Sequence, residues 1–236
     1  MKKTYLLSIL VVLLILGGGA YYYYQYGSNS VEIAVDDSQI TFQQDLIQWQ
    51  RPVTLTAEQK KIFADRIDAA QQKIVKGEDL YGAYLASAVN KLGLGDLSGA
   101  LADYQKAAAI NPKTYIIWNN IGNVYRDAHD YSNAEQSYLK GIEVAPDFPE
   151  NYLSLLDLYR YQSNLDNKQL ERKYLEYMDK NDTMELKATY SKFLEDNKRY
   201  DEAILMWENY LKIKKDNPDV LQYLEYLRGE KSNSFQ

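Results

Sequence analysis

Asn119 and Asn123 stand four residues apart, so on a helix their carboxamides share one face. Each carboxamide carries both a donor and an acceptor, the pair of functions that a peptide backbone also presents. The chemistry they suit is reversible recognition of an extended chain, without bond making. Little else in the sequence points to covalent chemistry. His129 is the one histidine, and a lone imidazole cannot build a His-rich metal site; Asp127 and Asp130 beside it are common turn residues. The chain has no cysteine, which removes disulfides, thiolate metal sites, thiol nucleophiles and a lipid-modified N-terminal cysteine. It carries no phosphate-cradling glycine loop, no nucleophile elbow and no His-Glu metal motif. Gly93-Leu94-Gly95 reads as a helix-to-helix turn and Gly17 to Gly19 as the edge of an apolar segment. No catalytic residue, cofactor or metal site is assigned, and the chain is read as a binding protein, not an enzyme; an envelope enzyme is kept as an alternative reading.

The elements that position the two asparagines lie within residues 115–148. Trp118, Ile121, Gly122 and Tyr125 recur at i, i+3, i+4 and i+7, one face of a helix, and Ala134, Tyr138 and Gly141 form the matching stripe of a second. Pro146 ends the second helix. Small residues at Gly122, Ala134 and Gly141 let two helix axes approach closely, and the aromatic rings fill what remains. This stretch resembles a tetratricopeptide repeat, a 34-residue pattern with an aromatic at position 4, Leu-Gly at 7 and 8, Tyr at 11, Ala at 20, an aromatic at 24, a small residue at 27 and Pro at 32. Counting Tyr115 as position 1, the eight residues Trp118, Ile121, Gly122, Tyr125, Ala134, Tyr138, Gly141 and Pro146 occupy those places. The visible departure is His129, where the family usually has Gly.

The same pattern extends to either side. In residues 81–114, Tyr84, Ala88, Gly95-Asp96, Ala100, Tyr104, Ala107 and Pro112 agree with it, whereas Lys91 stands where Tyr is usual. Residues 149–183 are degenerate: Tyr152, Leu155 and Tyr159 keep the first helix, but Lys168 and Arg172 replace the small and aromatic residues of the second, which is expected to shift or lengthen. Residues 184–217 recover the register with Tyr200, Ala203, Trp207 and Tyr210. A capping helix is expected over 57–80, opened by a Thr56 N-cap with Gln59 three residues on, its apolar stripe formed by Ile62, Phe63, Ile67, Ala70 and Ile74. A second, closing helix is expected over Asp219 to Gly229, followed by a frayed tail, within the C-terminal segment 218–236. The expected fold is all-α, a helical-hairpin solenoid over 81–217 with an N-terminal single transmembrane helix.

The resemblance implies a right-handed superhelix whose first helices line a concave groove through positions 2, 5, 9 and 12. On this chain those places fall on Leu85 and Val89, with Leu92, in the first repeat, and on Ile116, Asn119, Asn123 and Arg126 in the second. Leu153, Asp157 and Arg160 follow in the third, and Ala188, Lys192 and Glu195 in the fourth. An apolar wall followed by amides suits an extended peptide. Some family members grip a C-terminal carboxylate with Lys and Asn from the first repeat; Leu85 and Val89 stand in those places here, and Asp157 would repel such a ligand.

The chain has 27 basic and 33 acidic residues, a net charge of −6. Lys2 and Lys3 are the only charges before residue 27, so the remainder holds 25 basic against 33 acidic residues, a balance of −8. That acidity argues against a nucleic-acid partner, which needs clustered Lys and Arg, and favours basic or neutral apolar peptides.

The N-terminus is built for a bilayer. Leu6 to Leu16 is strongly apolar, and Tyr5 to Tyr24 is 20 residues, which at about 1.5 Å per residue spans roughly the 30 Å hydrocarbon core. Tyr21 to Tyr24 would form an aromatic belt, and Lys2 and Lys3 keep the N-terminus cytoplasmic. The expectation is a single-pass anchor over residues 1–26, with membrane contact through 5–24, a stalk of little regular structure over 27–56, and repeats in the periplasm or outside the cell. The alternatives are a signal peptide cut after Ala20, which would release a soluble chaperone-like module, and a buried soluble helix.

Overall fold

The computed structural model describes residues 20–26, 29–35, 49–162 and 165–233. The apolar run Leu6–Leu16 and most of the expected span 5–24 lie outside the described residues. Among the described residues, no helix is long and apolar enough to cross a membrane. Ala20–Tyr26 forms a strand, β1, paired antiparallel with β2, Asn29–Val35, in a register running from Ala20 opposite Val35 to Tyr26 opposite Asn29. This corrects two expectations. Tyr21 to Tyr24 lie in extended chain, not at the end of a membrane helix, and Val31 to Val35 are paired, not part of an irregular stalk. The reason is local: Tyr, Val and Ile favour the pleated surface.

The chain divides into two compact units, residues 1–145 and 146–236. In the first, five helices follow one another: α1 (Ala57–Lys76), α2 (Leu80–Gly93), α3 (Leu97–Ile110), α4 (Tyr115–Asp127) and α5 (Tyr131–Val144). Each packs on the next. The Thr56 hydroxyl accepts the Gln59 amide and the Gln59 side chain accepts the Thr56 amide, a complete capping box at the start of α1. Of the expected α1 stripe, Ala70 is buried and Phe63, Ile67 and Ile74 are half-buried, but Ile62 is exposed. As the first helix of its unit, α1 packs chiefly on α2 and buries only a narrow stripe.

The core between α4 and α5 is the seam the spacing predicts. Ile117, Trp118, Ile121, Val124 and Tyr125 of α4 are buried with Ala134 and Tyr138 of α5. A Cβ on Gly122 would fall among the ring carbons of Tyr138, within 2.9 Å of Cζ, so only glycine lets that ring lie flat across α4. The Trp118 indole donates to the Pro112 carbonyl at 2.7 Å. Between α2 and α3 the position held by Tyr125 in the next repeat is Lys91, whose ammonium reaches Oδ2 of the buried Asp103 at 2.6 Å. Ser87 donates to the same oxygen at 2.6 Å.

The second unit holds α6 (Pro149–Gln162), α7 (Asn167–Lys180), α8 (Met184–Asp196), α9 (Tyr200–Ile213) and α10 (Pro218–Asn233). Lys168 and Arg172 are exposed, and α7 buries Leu170, Tyr174 and Tyr177 instead. Those three keep the i, i+4, i+7 spacing of Ala134, Tyr138 and Gly141, displaced two residues further along than the 34-residue register. The small residues are gone as well: Leu156 lies buried where the second repeat has Gly122, and Tyr177 stands for Gly141. The bulk shows in the packing, since α6 and α7 approach far less closely than α4 and α5, with Tyr152 and Tyr177 meeting edge to face at 5.3 Å. The closing helix runs past Gly229 to Asn233, contrary to the expected fraying. Arg228 bonds Glu208 at 2.8 Å and Lys231 pairs with Asp201, so side chains of α9 hold its last turn.

Candidate functional site

In the first unit, α4 turns Ile116, Asn119, Asn123 and Arg126 to the side away from its buried stripe. Ile116 is 46% exposed, and the other three are half-buried. On α2, Leu85 is half-buried and Val89 is 49% exposed. Val89 on α2 and Ile116 on α4 are thus aliphatic side chains half out of the core, and α4 adds a pair of amides. The amides are held in place. Tyr138 Oη donates to Asn123 Oδ1 at 2.8 Å, and Asn123 Nδ2 donates to Asn119 Oδ1 at 3.1 Å. The core ring of α5 therefore sets the orientation of both carboxamides.

An unexpected segment borders this face. Residues 49–53 run extended along the α2–α3 turn. The Arg51 guanidinium donates to the Leu92 carbonyl at 3.2 Å and to Asp127 Oδ2 at 2.5 Å, so it bridges the C-terminal ends of α2 and α4. Arg126 reaches the other oxygen of Asp127 at 3.4 Å. The sequence reading missed Trp49 and Arg51, because an extended segment held by backbone bonds leaves no helical spacing to find. The available signal was the Trp-x-Arg-Pro cluster of Trp49, Arg51 and Pro52.

In the second unit, Leu153, Asp157 and Arg160 come from α6 and Lys192 from α8. Here the two basic side chains are held in ion pairs with carboxylates of α8. Arg160 pairs with Asp196, and Lys192 pairs with Glu195 and, at 3.1 Å, with Asp196. Glu195 is nearly buried, and α10 lays two tyrosines over it: Tyr223 Oη donates to Oε2 at 3.2 Å and Tyr226 Oη to Oε1 at 3.3 Å, the two rings stacked 5.7 Å apart. The hydrogen bond to Glu195 raises the Lys192 pKa, and burial raises that of Tyr223. The two faces thus differ in kind, one apolar with amides, the other an ion-pair network closed by aromatic rings.

His129 sits exposed in the α4–α5 turn with φ 63°, its Nδ1 2.8 Å from the Tyr131 hydroxyl. Among the described residues, no group of three or more His, Asp or Glu side chains is placed to hold a metal.

Helical hairpins of this size, each packed on the next within its unit, define a helical-repeat protein. A family described as "Tetratricopeptide repeat" matches residues 115–148, and one described as "TPR repeat" matches residues 92–128. Residues 92–148 thus carry tetratricopeptide repeats. Among solved structures it is similar to a thermophilic TPR protein in Thermus thermophilus, at 15% identity over 72% of this chain and 97% of that one, with a TM-score of 0.47. It is similar as well to a tetratricopeptide repeat protein from Parabacteroides merdae, at 15% identity over 74% and 77% with a TM-score of 0.45. Pseudomonas aeruginosa pilF matches at 14% identity over 75% and 90%, with a TM-score of 0.46. No curated protein matches the sequence.

Proposed function

We propose that this chain is a protein-interaction scaffold held outside the cytoplasmic membrane, with an extended peptide of a partner docking on the face of the first unit. The observation that carries the reading is the contrast on α4 between its buried stripe and the half-exposed Ile116 with its oriented asparagine pair. Leu85, Val89, Ile116, Asn119, Asn123 and Arg126 form the proposed contact set. Leu153, Asp157, Arg160 and Lys192 are proposed to meet the partner only where it exchanges their ion pairs for its own. The net charge of −6 favours a basic or neutral apolar peptide over nucleic acid. No catalytic step is proposed.

Leu6–Leu16, with Lys2 and Lys3 before it, supports insertion into or export across the cytoplasmic membrane with the N-terminus inside. A second reading, removal of this segment by a cut after Ala20, is favoured by the extended backbone of Ala20–Tyr26, which is not part of a membrane helix. Tyr5 to Gly19 is then only 15 residues, about 22 Å of helix, short of the hydrocarbon core.

Two experiments test the proposal. Photo-crosslinking side chains placed at Val89 and Ile116 should capture a partner in cells, and one at the exposed Leu139 of α5 should not; equal capture at all three would refute the face. Because the chain lacks cysteine, Ser232→Cys gives a single reporter for a membrane-impermeant thiol reagent. Labelling in the membrane pellet of intact or outer-layer-permeabilised cells is expected for the anchor and labelling in the soluble fraction for the cut. Labelling only after lysis would overturn the orientation.

A further inference from the structure

The first turn of α3 is capped by a distant part of the chain. The N–H groups of Leu97 and Ser98 both donate to the Trp49 carbonyl, at 3.1 and 3.3 Å, while the Trp49 N–H donates to Ser98 Oγ at 2.8 Å. One residue on, Gln50 pairs with Asp96 and donates from its side chain to Asp96 Oδ1 at 3.2 Å. The Arg51 N–H then donates to the Gly95 carbonyl at 2.8 Å. The side chains bind too. The Trp49 ring meets the buried Tyr125 ring edge to face at 5.9 Å, and Arg51 holds Leu92 and Asp127. Amides in the first turn of a helix have no partner within it, so an extended backbone supplying a carbonyl there satisfies two donors at once.

We infer that the α2–α3 turn is a recognition site for an extended Trp-x-Arg segment, that its occupant is this chain's own residues 49–51, and that this strap fixes where everything upstream of Trp49 leaves the first unit. The site is selective for its own repeat. Gly95 has φ 82°, and a Cβ there would collide with the Arg51 carbonyl oxygen. The next repeat has the same turn 34 residues later, with Asp130 for Asp96 and Ser132 for Ser98, and a similar left-handed backbone at φ 63°, but the residue is His129. Its Cβ stands where the strap would have to pass. Gly95 thus admits the strap and His129 refuses it, which sets a single register for the N-terminal segment. The inference rests on this geometry alone and stands or falls separately from the proposed partner face.

Amide hydrogen exchange of the full chain in mild detergent tests it. Leu97 and Ser98 should exchange at least roughly tenfold more slowly than Tyr131 and Ser132, their equivalents in α5. That protection should disappear in W49A/R51A and in Gly95→Asn, with protection in α4 and α5 retained. Asn tolerates positive φ, so Gly95→Asn separates the collision from backbone strain. Equal exchange at the two turns in the unaltered chain would overturn the strap, as would protection that survives W49A/R51A. Protection that falls on dilution would assign the segment to a second copy and overturn the assignment to its own chain.

Discussion

The hydroxyl of Tyr138 lies 2.8 Å from Oδ1 of Asn123, so the ring that fills the seam over Gly122 also orients an amide on the proposed binding face. Packing and recognition share one side chain. Tyr138→Phe keeps the ring and removes only the hydrogen bond. It should lower the unfolding free energy by about 1 kcal/mol, seen as a fall in denaturant midpoint at constant slope. Partner affinity should fall further than that stability loss accounts for, because the carboxamides of Asn123 and Asn119 lose their fixed orientation. Gly122→Ala acts on the same seam through volume. Its methyl meets a wholly buried ring, and the strain, about 1–3 kcal/mol, exceeds the roughly 1 kcal/mol of helix propensity that alanine contributes.

Asp103 is 4% exposed and accepts from both Lys91 and Ser87. Asp103→Ala strands the ammonium in a part-buried site. The expected cost is about 2–3 kcal/mol, below the 3–5 kcal/mol of a fully buried pair because Lys91 retains some contact with water. Replacing both partners with apolar residues, Lys91→Met with Asp103→Leu, should recover most of that loss. Thermal denaturation of the two variants makes the comparison, and equal destabilisation would show that the pair itself, not the stranded charge, holds the site.

Much of this architecture was legible in the sequence where a repeating stripe encodes it. Trp118, Ile121, Tyr125, Ala134 and Tyr138 announce their burial by spacing, and Thr56 with Gln59 announces a helix start. Reading failed where the cause is not periodic. Lys91 stood out as a departure, but its partner Asp103, twelve residues on, could not be singled out among many acidic residues. In the third repeat a rigid 34-residue register put Lys168 and Arg172 in core places. Two additional residues ahead of α7 move the stripe to Leu170, Tyr174 and Tyr177. Trp49 and Arg51 act through backbone bonds almost fifty residues along the chain, which no local pattern records. Of the proposed partner face, the sequence showed the residue types, whereas the ion pairs that occupy Arg160 and Lys192 needed coordinates.

That shift in register is itself testable. Leu170→Ala should cost about 2–5 kcal/mol, as a cavity in a packed seam does, whereas Lys168→Ala should stay within about 0.5 kcal/mol of the unaltered chain. Urea denaturation of the two variants decides between the registers, and the reverse order would restore the 34-residue one.

Buried tyrosines should contribute to alkaline unfolding in both units, with burial and the hydrogen bond to Glu171 also raising Tyr190 in the second. Burial pushes Tyr104 and Tyr125 up to about 12 from the ordinary 10.0, and the nearby Asp130 carboxylate adds to the effect at Tyr125. A folded-state pKa above the unfolded one means that folding favours the neutral phenol. The associated stability is whole below pH 10 and drains away as the pH climbs from 10 through about 12, because the unfolded chain releases protons that the folded chain keeps. Tyrosinate absorbance from these two side chains should therefore appear together with loss of helical circular dichroism, not before it. Tyr104→Phe and Tyr125→Phe each remove one such group and should move the alkaline midpoint upward, and the double variant further still. A midpoint unmoved in all three would place the alkaline limit elsewhere, with the burial-raised phenols of Tyr174 and Tyr223 in the second unit as the next groups to replace.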